Sequence, residues 1–114
     1  MADDAAVPIE ELPDYAQEVD RACRELGVEV NLDGHASAGL LHMNPGINLK
    51  TAEGLEQMRA ISEAVMGIAM AHHGTTTGEH GEGLARSHYN EQLYGPRLHQ
   101  AFREVKGLFD PNNM

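Results

Sequence analysis

The stretch VEVNLDGHASAGLLHMNP, residues 28–45, decides how the chain is read. Val28, Val30 and Leu32 alternate with Glu29, Asn31 and Asp33, the period of two that marks a strand with one buried face. Gly34 interrupts the alternation, Ala36-Ser37-Ala38-Gly39 is small and polar enough for a tight connection, and a second strand is predicted over residues 40–44, closed by Pro45-Gly46. The pair reads as a hairpin. His35 and His42 flank its connection, seven residues apart, so the turn can aim both imidazoles at one point.

Helices are predicted on both sides of this hairpin. Pro13 suits a first helical turn, Tyr15, Val19, Ala22 and Leu26 recur at spacings of three or four, and Gly27 is a good residue to end a helix over 13–26. Thr51 is a credible N-cap for the longest element, whose stripe of Leu55, Met58, Ile61, Val65, Ile68 and His72 ends at Gly74. Gly54 and Gly67 each weaken that helix by up to about 1 kcal/mol relative to Ala, so close packing against the sheet is expected there. Thr75, Thr76 and Thr77 are β-branched and favour a short strand, which would deliver GEHGEG, residues 78–83, as a loop. Pro96 opens a last helix with Leu98, Ala101, Phe102, Val105 and Leu108 on one face, and Asp110-Pro111 ends it.

Ahead of all this, Ala5-Ala6-Val7-Pro8 reads as an extended lead-in, since proline biases the residue before it away from helix. The order predicts an α+β domain, an antiparallel sheet with helices packed on one face, with a ferredoxin-like split βαβ as its connection. The first strand of such a unit is not visible in the sequence. No repeat, low-complexity tract or linker interrupts residues 1–114, which read as a single domain.

Composition narrows the function classes. The 114 residues can support one core, and with 4% aromatics, no Trp and six Met that core is expected to be aliphatic and Met-rich. Eighteen acidic against eight basic residues, a formal charge of -10, argue against a nucleic-acid duplex or an anionic membrane as partner, because both demand clustered Lys and Arg. Ten of the acids fall in residues 1–33 against Arg21 and Arg24 alone, and they read as a solvated helix face. A lone cysteine, Cys23, and the lack of a signal segment or long apolar run lead to the expectation of a reducing, cytoplasmic setting.

Chemistry is concentrated in two places. His35, His42 and Glu79 make a two-histidine, one-carboxylate set, the ligand type of zinc, manganese and non-haem iron sites that keep open positions. Glu79-His80 between Gly78 and Gly81 places two titratable groups on a backbone that can approach a ligand closely, and a metal-bound carboxylate beside a free imidazole is a workable acid–base pair. The structural alternative, hydrogen-bonded histidines beside a solvated loop acid, stays open at this point. His72 and His73 at a helix end and His99 on a helix are weaker candidates, and His88 near Arg86 reads as a surface residue. Met58, Met66 and Met70 read as core, and GEHGEG lacks the spacing and the lysine of a phosphate loop.

Five motifs in order, AAVP at 5–8, GHASAGLLHMNP at 34–45, TTTGEHGEGLAR at 75–86, YGPRL at 94–98 and FDPNN at 109–113, resemble the C-terminal domain of FAD-linked oxidases. This is the glycolate oxidase and D-lactate dehydrogenase group of the vanillyl-alcohol oxidase flavoprotein superfamily. The resemblance implies a divalent metal, zinc or manganese, on His35, His42 and Glu79, with His80 as catalytic base and Asn44 as a substrate contact. It further implies oxidation of a small 2-hydroxy acid by hydride transfer to FAD, the flavin being held mainly by a separate N-terminal domain that these residues do not include. Ser37-Ala38-Gly39-Leu40 departs from the commoner Gly-Asp-Gly-Asn loop and looks like the branch found in long proteins that also carry an iron-sulfur module. A basic residue shortly before the Val-Pro, expected to bind substrate, is not evident. On this reading the chain is a substrate-side piece, inactive by itself. A reading of another class is a non-catalytic interaction or assembly module with structural histidines, docking through its acidic helix and self-associating through an exposed apolar patch.

Overall fold

The computed structural model describes residues 3–114, which divide into two compact units, Met1–Glu82 and Gly83–Met114. In the first, β1 (Ala5–Ala6) is followed by a 3-10 turn (Ile9–Glu11), α1 (Leu12–Glu25), β2 (Val30–His35), a second 3-10 turn (Ala36–Ala38), β3 (Leu40–Pro45) and α2 (Ala52–Ala71). The architecture is α+β. β3 lies between β1 and β2 and runs antiparallel to both, so β1 and β2 are parallel and α1 is the crossover of a split βαβ. Thr75 then bridges Ala6 antiparallel on the free edge of β1. The missing first strand is therefore the Ala5-Ala6 pair, too short and too bland to show a strand period.

Local chemistry explains where the helices stop. Gly27, at φ 71°, follows α1, and the amides of Gly27 and Val28 donate to the carbonyls of Arg24 and Cys23, a Schellman close. The same closure ends α2, but there His73 takes the left-handed position at φ 57°, and Gly74 follows it as the donor to Ala69. The expected stop at Gly74 is thus one residue late. Gly74 is needed for another reason, since a Cβ there would lie 2.4 Å from the Ala6 carbonyl. At the other end Thr51 caps α2 by accepting the amide of Gly54.

The core lies between the paired helices and the sheet: Tyr15, Val19 and Cys23 from α1 meet Ile61, Val65, Met66 and Ala69 from α2, with Ala5 and Met43 beneath. Cys23, rather than Ala22 or Leu26, completes the buried stripe of α1, and Leu55 is exposed although it extends the predicted stripe of α2. The two glycines of α2 do not meet the sheet. Gly54 is pressed against the Asn48 carbonyl of its own leading loop, and Gly67 faces open space.

One expectation falls short in the later chain. The Thr75–Thr77 strand reduces to the single Thr75 bridge, because Thr76 and Thr77 turn their hydroxyls onto the carboxylates of Glu82 and Asp4 instead of extending a ladder. In the second unit, α3 (Gly83–Arg86) and a 3-10 turn (Ser87–Tyr89) lead into α4 (Asn90–Phe109), which is broken at Gly95 (φ 77°, ψ 164°) so that Pro96 does open a helical segment. Its apolar face is exposed at Leu98, Phe102, Val105 and Leu108. No helix among the described residues is long and apolar enough to cross a membrane.

Candidate metal and catalytic site

Register builds the site. Asp33 pairs with His42 and Asn31 with Asn44, so Asn31, Asp33, His42 and Asn44 share one face of the hairpin, opposite the face that carries the buried Met43; His35 and Leu40 pair on that same side. The connection between the strands needs a glycine. Gly39 sits at φ 68°, its carbonyl accepts the amide of Val7 at 2.9 Å, and a Cβ there would lie 1.9 Å from the Val7 carbonyl oxygen. Gly78 brings the other half of the site in close, since a Cβ there would meet Leu40 Cδ1 at 2.2 Å.

Three imidazoles converge on one carboxylate oxygen. Glu79 Oε1 lies 3.3 Å from His35 Nε2, 3.1 Å from His42 Nε2 and 3.6 Å from His80 Nε2. The rings of His42 and His80 stack at 5.2 Å and 5°, and His35 meets His42 edge-on at 5.7 Å. His42 Nδ1 donates to the Asp3 carbonyl at 2.8 Å, which leaves Nε2 as the atom presented to Glu79. That hydrogen bond, helped by Glu79 and opposed by partial burial, holds the His42 pKa above the ordinary histidine value.

An uncharged Nε2 lone pair facing a carboxylate oxygen at 3.1 Å is an arrangement of two acceptors, stable only with a proton or a cation between them. Two ligands bound at about 2.0–2.1 Å to a tetrahedral ion stand roughly 3.3 Å apart, so the 3.1 and 3.3 Å separations suit a metal. Each of these nitrogens is thus at a ligand-pair spacing from Glu79 Oε1 and could share a small divalent ion with it. The set whose donor atoms all lie within 4.8 Å of one another is Asp4, His42, Glu79 and His80; His35 is outside it and reaches the cluster through Glu79.

Beside the histidines lies a cavity of about 560 Å³, lined by Ala6, Ala38 and Leu40 on its apolar side and by Thr75, Thr77, His35 and Glu79 on its polar side. Its size is that of a small-molecule pocket. Of the residues singled out in the sequence, His35, His42, Glu79 and His80 come together. Asn44 stands apart, about 6–7 Å along the strand from His42, and donates to the Asp33 carboxylate at 2.9 Å.

Asp4 is the residue that sequence reasoning missed. Counted there among solvated acids, it is wholly buried and accepts from the Thr77 hydroxyl at 2.6 Å and from the amides of His80 and Glu79. Burial alone would raise its pKa, but those hydrogen bonds outweigh it and hold the carboxyl below the ordinary value. A signal was present: an acid directly before an apolar lead-in, in the position where a basic residue had been sought. The weaker histidines lie outside this cluster. His72 joins Glu11 at 2.8 Å and Glu18 at 3.6 Å, His99 Nδ1 lies 3.8 Å from Glu91, and the exposed His88 packs its ring against Tyr89.

Comparison with known proteins places the chain in a family. The model of the family "FAD linked oxidases, C-terminal domain" matches residues 1–114. Relatives include a D-2-hydroxyglutarate dehydrogenase of Haemophilus influenzae, 37% identical over 99% of this chain and 11% of its own length. A D-lactate dehydrogenase of Archaeoglobus fulgidus is 30% identical over 97% of this chain and 24% of its own, and the glycolate oxidase subunit GlcD of Bacillus subtilis is 26% identical over 100% and 24%. The chain thus spans about a tenth to a quarter of the length of these relatives. With the whole chain matched by its model, the protein belongs to the C-terminal domain family of FAD linked oxidases.

Proposed function

We propose that this chain is the substrate-side domain of an FAD-dependent oxidoreductase that oxidises a small 2-hydroxy acid, glycolate- or D-lactate-like. The observation that carries the reading is the convergence of His35, His42 and His80 on the single oxygen of Glu79. His35, His42 and Glu79 would hold zinc or manganese, which when bound supplies Lewis-acid polarisation of the substrate carboxylate and hydroxyl. FAD, held mainly by a further domain of a longer protein, supplies the hydride acceptor.

This chain's own residues do the rest. His80, half exposed and next to Glu79, takes the hydroxyl proton at Nε2 as hydride leaves C2, and the product is the 2-oxo acid. The small side chains of Ala6 and Ala38 leave room for the non-reacting end of the substrate. An iron-sulfur module as onward electron carrier and a cytoplasmic location belong to the same reading.

The test is calorimetric titration of the chain with zinc and with manganese at neutral pH, beside Glu79→Gln and His42→Ala. Micromolar binding lost in both variants supports the site, and equal binding by wild type and variants refutes it. In the flavin-loaded longer protein, His80→Ala is expected to abolish flavin reduction by the hydroxy acid. The exposed face of α4 favours a second reading, assembly through an apolar surface, which a monomeric sedimentation profile at high concentration would count against.

A further inference from the structure

The segment leading into β1 meets both stacked imidazoles on the same side. Asp3 offers its carbonyl to Nδ1 of His42 at 2.8 Å, and Asp4 offers carboxylate Oδ1 to Nδ1 of His80 at 3.8 Å. The opposite edge of each ring, Nε2, faces Glu79 Oε1. Residues 3 and 4 thus act as a rail along which two parallel rings are set with the same orientation.

Asp4 holds the loop as well as facing the ring. Its Oδ2 accepts the His80 amide at 2.8 Å and the Thr77 hydroxyl at 2.6 Å, the Glu79 amide reaches both oxygens at 3.2 and 3.3 Å, and its main-chain carbonyl takes the Gly78 amide at 2.7 Å. One buried carboxylate therefore fixes the backbone of His80 and stands beside its outer ring nitrogen. A separation of 3.8 Å is an ion-pair distance rather than a hydrogen bond, so the ring is oriented by an electrostatic field acting on a clamped residue. Glu79 Oε1 lies 3.6 Å from the opposite ring nitrogen of His80, but it stands closer to His35 and His42, at 3.3 and 3.1 Å, so its pull on the His80 proton is shared with those rings.

We propose that Asp4 is a positioning residue for His80: it clamps the Thr77–His80 loop and selects the Nδ1–H tautomer, so that the Nε2 lone pair is presented to the site. A carboxylate only accepts, so the neutral ring is favoured with its proton on the nitrogen nearest Asp4. The consequence for proton abstraction rests on the reading of His80 as base; the tautomer assignment does not.

The experiment is two-bond 1H–15N correlation of the imidazole nitrogens in the metal-free chain, above the pH at which the rings are neutral, for wild type, Asp4→Asn and Thr77→Val. Wild type is expected to show His80 with Nδ1 protonated. In Asp4→Asn the amide oxygen can keep the clamp while the NH2 group faces the ring, so His80 is expected to switch to Nε2–H while His42, tied to the Asp3 carbonyl, does not. Thr77→Val removes one strand of the clamp and leaves the tautomer of wild type. An Nε2–H tautomer in wild-type His80 overturns the proposal with no variant needed, and so does an unswitched His80 in folded Asp4→Asn. In the flavin-loaded longer protein Asp4→Asn is expected to slow flavin reduction by about 10²–10⁴-fold. A switched tautomer with an unchanged reduction rate upholds the role of Asp4 and instead removes His80 as the base.

Discussion

Replacing Gly39 by Ala tests the link between the hairpin connection and the site. The glycine sits at φ 68°, where a residue with a Cβ costs about 1–2 kcal/mol. The new methyl would also stand 1.9 Å from the Val7 carbonyl oxygen, far inside contact distance, so the connection must move away from the chain that follows β1. That movement endangers the Val7 amide to Gly39 carbonyl bond of 2.9 Å, a net contribution of about 0.5–1.5 kcal/mol. Together these effects amount to about 1.5–3.5 kcal/mol, or roughly 6–14 °C in Tm at this chain length. The assay is thermal and urea unfolding followed by circular dichroism, with Gly67→Ala as control. Gly67 lies on the exposed side of α2 with nothing within 4 Å, so the same substitution there should stabilise by about 0.5–1 kcal/mol. Because Gly39 separates the strands that carry His35 and His42, zinc binding should weaken in Gly39→Ala and stay unchanged in Gly67→Ala. A Gly39→Ala protein within about 0.5 kcal/mol of wild type would refute the reasoning.

Tyr15→Phe is expected to raise stability by about 1 kcal/mol, since the wholly buried hydroxyl has no hydrogen-bond partner among the described residues; a loss in urea unfolding would show that it is satisfied. His72, bonded to Glu11 and Glu18 and edge-on to Tyr15, has its pKa raised chiefly by the Glu11 hydrogen bond, against partial burial. Its contribution is therefore full below the ordinary histidine pKa and is lost as pH rises through the raised folded value, so the stability gap between wild type and His72→Gln should be wider at pH ~6 than at pH ~9. Cys23 is buried and its thiol pKa is pushed up, first by burial and then by Asp20, so a disulfide reagent should label it only as the chain unfolds; fast labelling of the native protein would contradict the packing of α1 on α2.

What could be read without coordinates follows from periods and punctuation. The alternation of residues 28–33, the Thr51 cap and Gly27 are local signals with local causes, and their elements stand within a residue or two of expectation. His35, His42, Glu79 and His80 were legible as ligand-type residues in glycine-rich surroundings. The exposed face of α4 was not legible, because a hydrophobic stripe shows that a face needs cover and not what covers it.

By itself the sequence determined the elements, the hairpin and the set of chemical groups, since these depend on neighbours within a few residues. Only the tertiary structure decided how they meet. Two alanines become the strand that completes the split βαβ because β3 offers them a paired edge, a property of another segment. Asp4, one of ten acids in the first 33 residues, becomes a buried clamp because that strand carries it against a loop more than seventy residues away, where Thr77 and two amides donate to its carboxylate. A carboxylate's environment is set by what folds against it, and no local pattern encodes that.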